Sequence, residues 1–292
     1  MNLSLNPTAE DSVNLVHATH LIRDYAKVSS FLKNSGFEIL ESIEVSDDSN
    51  THCCQISLNG SYISLQRRDH SDTQEFIGSA LTGFGLGTID IESTQGRLTL
   101  HGFHPLSIEE RKLLFPVAKK NQREIECKVF KLKKSDVLEG AVEFIDVSTL
   151  TKSSAKSIHN NALSHLHAII LCTNKPEETI ARYCWLTNRS SPRRIFGSSW
   201  QLGLGQQKII VCSKEDVERI VPNVTVTNLP SILGYALLTE SISKTKDCFS
   251  YNELLLQPLN QGSFLLKLPD FISGNLIIGT SFAAFPWNGD LN

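Results

Sequence analysis

Apolar and polar positions along the chain change period in a recurring order. Residues 14–22 form a mixed apolar run of strand character. Residues 24–34 follow with apolar side chains at helical spacing (Tyr25, Val28, Phe31, Leu32), and Gly36 stands where a helix stops. Residues 37–45 are strand-like, 52–58 alternate, Asn59-Gly60 is a hairpin turn, and 62–66 alternate again. The pattern predicts strand, helix, strand, strand, strand.

The unit then repeats. After Gly83-Phe84-Gly85-Leu86-Gly87, strands are expected at 88–91 and 97–102. A short helix capped by Ser107 with Glu110 is expected over 107–115, and strands at 126–132 and 141–147. A third unit opens at 163–172, with a helix from Pro176 to Trp185 and paired strands at 200–204 and 208–212. A fourth opens at 232–239 and ends in strands near 254–256, 263–266 and 275–285. Four degenerate copies of one βαβββ motif account for the length better than two unrelated domains do. The stretch 148–164, rich in Ser, Thr, Lys and Asn, is the expected linker between a 1–147 pair and a 165–292 pair.

Composition narrows the class. The 292 residues are 40% hydrophobic and 20% charged with a net charge of −3, which excludes a disordered or collagen-like chain. The first 150 residues carry 15 basic and 21 acidic groups and the remainder 13 and 10, so neither half predicts a nucleic-acid partner. The basic stretch from Arg111 to Lys134 is broken by Glu124 and Glu126 and lacks interleaved aromatics, so it is expected to be a solvated helix end and edge strand. The uncharged window 271–289 is interrupted by Gly, Asn, Ser and Pro and reads as strands and turns, with no membrane partner. Residues 1–11 have neither a basic nor an apolar leader region. Seven scattered cysteines without a C-x-x-C fit a reducing, cytoplasmic setting in which most thiols are small core residues.

Some motifs are familiar. His17-Ala18-Thr19-His20-Leu21-Ile22-Arg23-Asp24, an amphipathic helix and Ser35-Gly36-Phe37 resemble the opening of a vicinal oxygen chelate (glyoxalase-like) module. Asn50-Thr51-His52, a strand, Asn59-Gly60 and Tyr62-Ile63-Ser64-Leu65 are similar to the hairpin that closes such a module. Asn161-Ala162-Leu163 before a strand, and Ile209-Ile210-Val211 before Ser213-Lys214-Glu215-Asp216, resemble the larger bacterial-type members. The resemblance implies an α+β fold of four modules, paired into two curved mixed sheets or half-barrels.

It also implies a divalent metal, held by His or Gln on the first strand of a module and Glu on the last, and acting as a Lewis acid. Slot by slot, module one offers His17 and Ser64; module two offers Gly85 and Glu143. Module three offers His167 and Ile210, and module four Gly234 and Ala283. A hydroxyl or an alkyl group does not replace a carboxylate on such a cation. His17 with Glu143 is therefore the expected remnant of a metal site, with Ser64 as a lost corner and His52 as a further pocket candidate. His52 and Cys54, and His165 and His167, share strand faces, but ordinary strand faces explain both pairs. His101 and His104 flank a turn, and Gly83, Gly85 and Gly87 precede no helix, so no phosphate loop is expected.

The expected function is recognition of a small organic molecule by a glyoxalase-like protein with a degenerate metal site, with no firm cofactor and a homodimer left open. The alternatives are a metal-dependent lyase, isomerase or dioxygenase using His17 and Glu143, and a non-catalytic interaction scaffold. The C-terminal pair is expected to bury an apolar core and leave Trp185 and Trp200 partly buried.

Overall fold

The computed structural model describes residues 12–46, 49–67, 80–117, 121–148, 159–224, 226, 228–259 and 262–288. Among the described residues, sixteen strands and four of the five helices run in one order, strand-helix-strand-strand-strand, four times. The first module is β1 (Ser12–Ile22), α1 (Tyr25–Asn34), β2 (Leu40–Ser46), β3 (Ser49–Leu58) and β4 (Ser61–Arg67). The second is β5 (Ala80–Thr88), α2 (Ile91–Leu100), β6 (Glu109–Val117), β7 (Asn121–Lys131) and β8 (Ala141–Asp146). The third is β9 (Leu163–Cys172), α3 (Pro176–Thr187), β10 (Arg193–Phe196), β11 (Ser199–Leu204) and β12 (Gln207–Cys212), followed by the short α4 (Val217–Ile220). The fourth is β13 (Ser231–Thr239), α5 (Ile242–Ser250), β14 (Gln257–Pro258), β15 (Ser263–Lys267) and β16 (Asn275–Gly279).

Modules pair through their first strands. β1 lies antiparallel to β5 and parallel to β4, giving the order β2-β3-β4-β1-β5-β8-β7-β6. The second sheet repeats it as β10-β11-β12-β9-β13-β16-β15-β14. The first sheet curls until β2 and β3 touch β6 from the opposite edge, making a half-barrel. Its outer face (Ala18, Ile22, Ile63, Phe84, Phe144), the helices and one face of the second sheet (Ile169, Ile209, Tyr235, Ile278) share one continuous core. Among the described residues, no helix is long and apolar enough to cross a membrane.

Local chemistry fixes the helix starts. Asp24 and Asp90 accept from the backbone N–H of Lys27 and Ser93 at 3.0 and 2.9 Å, and Pro176 opens α3 at a position that lacks a donor requirement. Three strand-to-helix junctions carry the same lock, a threonine bonded to another six residues on. The pairs are Thr88–Thr94 at 2.7 Å, Thr173–Thr179 at 3.4 Å and Thr239–Thr245 at 2.7 Å.

Several expectations fail at the second module and at the chain's end. Residues 97–102 belong to α2 and its cap, not a strand, and 107–115 lie largely in β6, not a helix. Asp90, not Ser107, is the cap, and strand pairing of β6 with β7 overrides the local helical signal. Gly83, Gly85 and Gly87 lie within β5 rather than before a strand. The strand expected over 275–285 stops at Gly279, and the chain turns at Ser281 into a single 3-10 turn, Phe282–Ala284, that leads to Pro286. Ala283 therefore occupies no strand slot. The central part of the expected linker, 149–158, lies outside the described residues. Its far end is built in: Asn161 is fully buried and its amide donates to the Ser35 carbonyl at 2.8 Å.

Candidate functional site

Register alone assembles the site. Across four adjacent strands, Tyr62 on β4 pairs with His17 on β1, His17 with Gly85 on β5, and Gly85 with Glu143 on β8. Residues in one register row of a sheet project to one face, here the inner face of the half-barrel. His17 leans across β5 to reach Glu143, and its Nε2 lies 3.1 Å from Oε1. The lean requires a glycine beneath it. A β-carbon on Gly85 would lie 2.3 Å from Cε1 and 2.4 Å from Nδ1 of the ring. On its other side the imidazole stacks on Tyr62, with centroids 4.9 Å apart and planes 24° apart.

A third charge completes the cluster. Arg111, from β6, donates from Nη1 to Oε1 of Glu143 at 2.9 Å and to Oε2 at 3.2 Å. His17 and Glu143 are buried, 2% and 8% exposed. Burial pushes the Glu143 carboxyl up, but the charges and hydrogen bonds of His17 and Arg111 outweigh it and hold the group well below the usual carboxylate range. Nδ1 of His17 is buried and has no hydrogen-bond partner. Ser64 lies one pair along the same face, in register with Thr19 on β1 and Gln55 on β3, and all three are buried. His52 pairs with Ile43 on β2, and β3 is separated from β1 by β4, so pairing does not bring it beside His17. Its side chain lies outside the described residues.

Arg111 was expected in a solvated basic stretch and is instead the partner of Glu143, because residues 109–117 form a strand on the curled edge. Nothing in the linear sequence marks it. Tyr62 carried a signal: the turn at Asn59-Gly60 puts it in the same alternation phase as Ser64.

These donors do not fit the divalent metal that the fold family implies. Protein-bound zinc takes three or four protein ligands. The register row supplies an imidazole, a carboxylate, a phenol and a glycine. Among the described residues, no three of His, Cys, Asp and Glu are grouped to hold an ion. A guanidinium already engages both Glu143 oxygens.

The second sheet treats the same positions differently. His167 stacks on Phe285 (4.4 Å, 19°), which stacks on Trp287 (5.1 Å, 3°). Those two rings, with Ile170, Ile210, Leu265 and Ile277, fill that sheet's inner face. Gly279 makes room for Phe285, since a β-carbon there would lie 2.7 Å from its ring. His167 is buried, and burial, then the Lys208 charge, lowers its pKa to about 4 against a smaller opposing effect of the Gln206 backbone. Trp200 is half-buried, but Trp185 is 56% exposed: α3 turns Ile180, Tyr183 and Leu186 inward, and Trp185 falls on its outer face. An enclosed void lies between the two halves, lined by His20, Phe37, Ile63, Tyr235 and Leu276, with room for about one water molecule.

No family model and no curated protein matches the sequence. Solved structures do. A hypothetical protein from Staphylococcus aureus superposes with a TM-score of 0.57 at 9% identity, over 90% of this chain and 97% of that one. A triple mutant of 4-hydroxymandelate synthase from Streptomyces coelicolor gives 0.57 at 11% identity, over 92% of each chain. A xylose isomerase-like TIM barrel/4-hydroxyphenylpyruvate dioxygenase fusion protein gives 0.54 at 12% identity, over 93% of this chain and 50% of that one. The chain has the vicinal oxygen chelate fold. Its four βαβββ modules pair into two mixed sheets.

Proposed function

We propose that the first half-barrel recognises a small, oxygen-bearing organic molecule at the His17–Glu143–Arg111 cluster, without a resident divalent metal. The observation that carries this reading is a buried ionic cluster at the centre of an inner face, flanked by the buried Ser64, Thr19 and Gln55. Burying polar and charged groups is costly, and a face that served only to hold two sheets together would be cheaper as hydrocarbon. The inner face of the second sheet is filled in that way, by Phe285, Trp287 and aliphatic side chains. This contrast favours a recognition site over a scaffold with two filled barrels.

The hydroxyls and the amide offer donors and acceptors to carbonyl or hydroxyl oxygens. The metal-dependent lyase, isomerase or dioxygenase would need donors beyond His17 and Glu143. Two measurements test the proposal. A thermal-shift panel of small hydroxy and keto compounds should give at least one stabilising ligand whose effect is lost in Ser64→Ala. Calorimetric titration with zinc, cobalt and manganese should give no tight, His17-dependent binding. Tight metal binding that disappears in His17→Ala would favour the enzyme, and no ligand in the panel would favour the scaffold.

A further inference from the structure

We propose that the second sheet has an anion site of its own, where Lys208 and Arg193 hold a small, doubly charged oxyanion of the phosphate or dicarboxylate class. Register places both side chains on one face. Ile210 lies on the inner face, and Lys208 stands two residues before it on β12. Gln201 and Arg193 continue the Ile210 row across β11 and β10. The sheet's centre is closed by Phe285, Trp287 and aliphatic side chains, so the site lies toward the β10 edge, where Arg193 is exposed.

Three observations carry the inference. First, the Lys208 ammonium is half-buried and held by two neutral oxygens, Gln201 Oε1 at 2.8 Å and Asn288 Oδ1 at 2.5 Å. An ammonium has three donors, so one remains. Second, among the described residues no carboxylate lies within ion-pair distance of Lys208 or Arg193. The Arg193 charge is nonetheless close enough that, after burial, it lowers the Lys208 pKa. Two like charges thus lie close together without the anion that Glu143 supplies to Arg111 in the first sheet. Holding them so is costly, and a bound oxyanion offsets that cost. Two cations match two negative charges, and the guanidinium fork suits paired oxygens. Third, the neighbouring wall offers a further donor. Trp287, next in the chain to Asn288, keeps its indole N–H buried and without an acceptor, and β10 packs against the turn Pro286–Asn288 that carries both residues.

The test titrates the full-length chain by calorimetry with inorganic phosphate and with succinate, at fixed ionic strength in chloride. At least one of the two should bind once per chain, and the one that binds gives the class. Lys208→Gln and Arg193→Gln should each weaken that binding at least ~10-fold. Lys175→Gln removes the same charge from an exposed side chain bonded to Glu178, and should bind as wild type does. Lys208→Gln gives up bonds to Gln201 and Asn288; should it lose its near-ultraviolet dichroism, Arg193→Gln, exposed on an edge strand, carries the test alone. Absence of saturable binding by either anion would overturn the proposal. So would binding that Arg193→Gln weakens no more than Lys175→Gln does. The small-molecule panel reads the first half-barrel through Ser64, so the two proposals fail separately.

Discussion

Acid should loosen the contact between the two halves through one residue, His20. Its ring is fully buried between them, with Nδ1 3.3 Å from the Ile272 carbonyl and Nε2 3.3 Å from the Tyr235 hydroxyl. A carbonyl only accepts, so Nδ1 carries the proton and Nε2 accepts from the phenol. Both nitrogens are committed in the neutral form, and burial lowers the pKa from 6.5 to about 4 against a smaller opposing effect of the Ile272 bond. The unfolded chain therefore takes up a proton below pH 6.5 that the folded chain refuses until about pH 4. Stability from this group is fully present above pH 6.5 and is lost as pH falls through that window. Integrating the linkage relation from pH 7 to 4.5 gives a loss of roughly 2–3 kcal/mol from His20 alone. Urea unfolding of wild type and His20→Gln at pH 7, 6, 5 and 4.5 isolates it, because His167 and the other groups titrate in both proteins. The variant is expected to start less stable at pH 7, having lost bonds to Tyr235 and Ile272, and to fall less steeply. Parallel pH profiles for the two proteins would refute the argument.

The site and the core give further expectations. Glu143→Gln should cost ~3–5 kcal/mol in denaturant unfolding, because it removes the buried carboxylate that His17 and Arg111 both engage. Gly85→Ala should cost ~1–3 kcal/mol and displace the His17 ring, seen as a shifted imidazole resonance, since the new methyl overlaps Cε1 and Nδ1. Phe285→Ala should cost ~3–5 kcal/mol by opening a cavity beside His167, whereas Trp185→Ala, on the outer face of α3, should change stability by less than ~0.5 kcal/mol.

Much of the fold was legible because the βαβββ unit writes a local code. The period shift from β1 to α1, the stop at Gly36 (φ +78°) and the turn at Gly60 (φ +74°) mark one module completely. The later copies follow the same order. One regularity was available and went unread: threonines six residues apart at 88 and 94, 173 and 179, and 239 and 245 mark three strand-to-helix junctions. The reading of 97–115 failed because a capping pattern at Ser107 has the same local form whether or not a partner strand exists, and β7 supplies one.

The sequence by itself determined the modules and their number, because each module is set by a repeated order of short-range signals; that His17 and Glu143, 126 positions apart, belong together was only implied by the resemblance to glyoxalase-like modules. Only the tertiary structure decided what stands around them. Tyr62 against the ring, Gly85 beneath it and Arg111 on the carboxylate follow from register and from the curl that brings the β6 edge over the inner face. Likewise, Phe285 and Trp287 fill the second sheet because the chain leaves β16 early and turns inward. Such contacts join residues far apart in the chain. Their energies depend on distance and burial, which no window of neighbouring residues encodes.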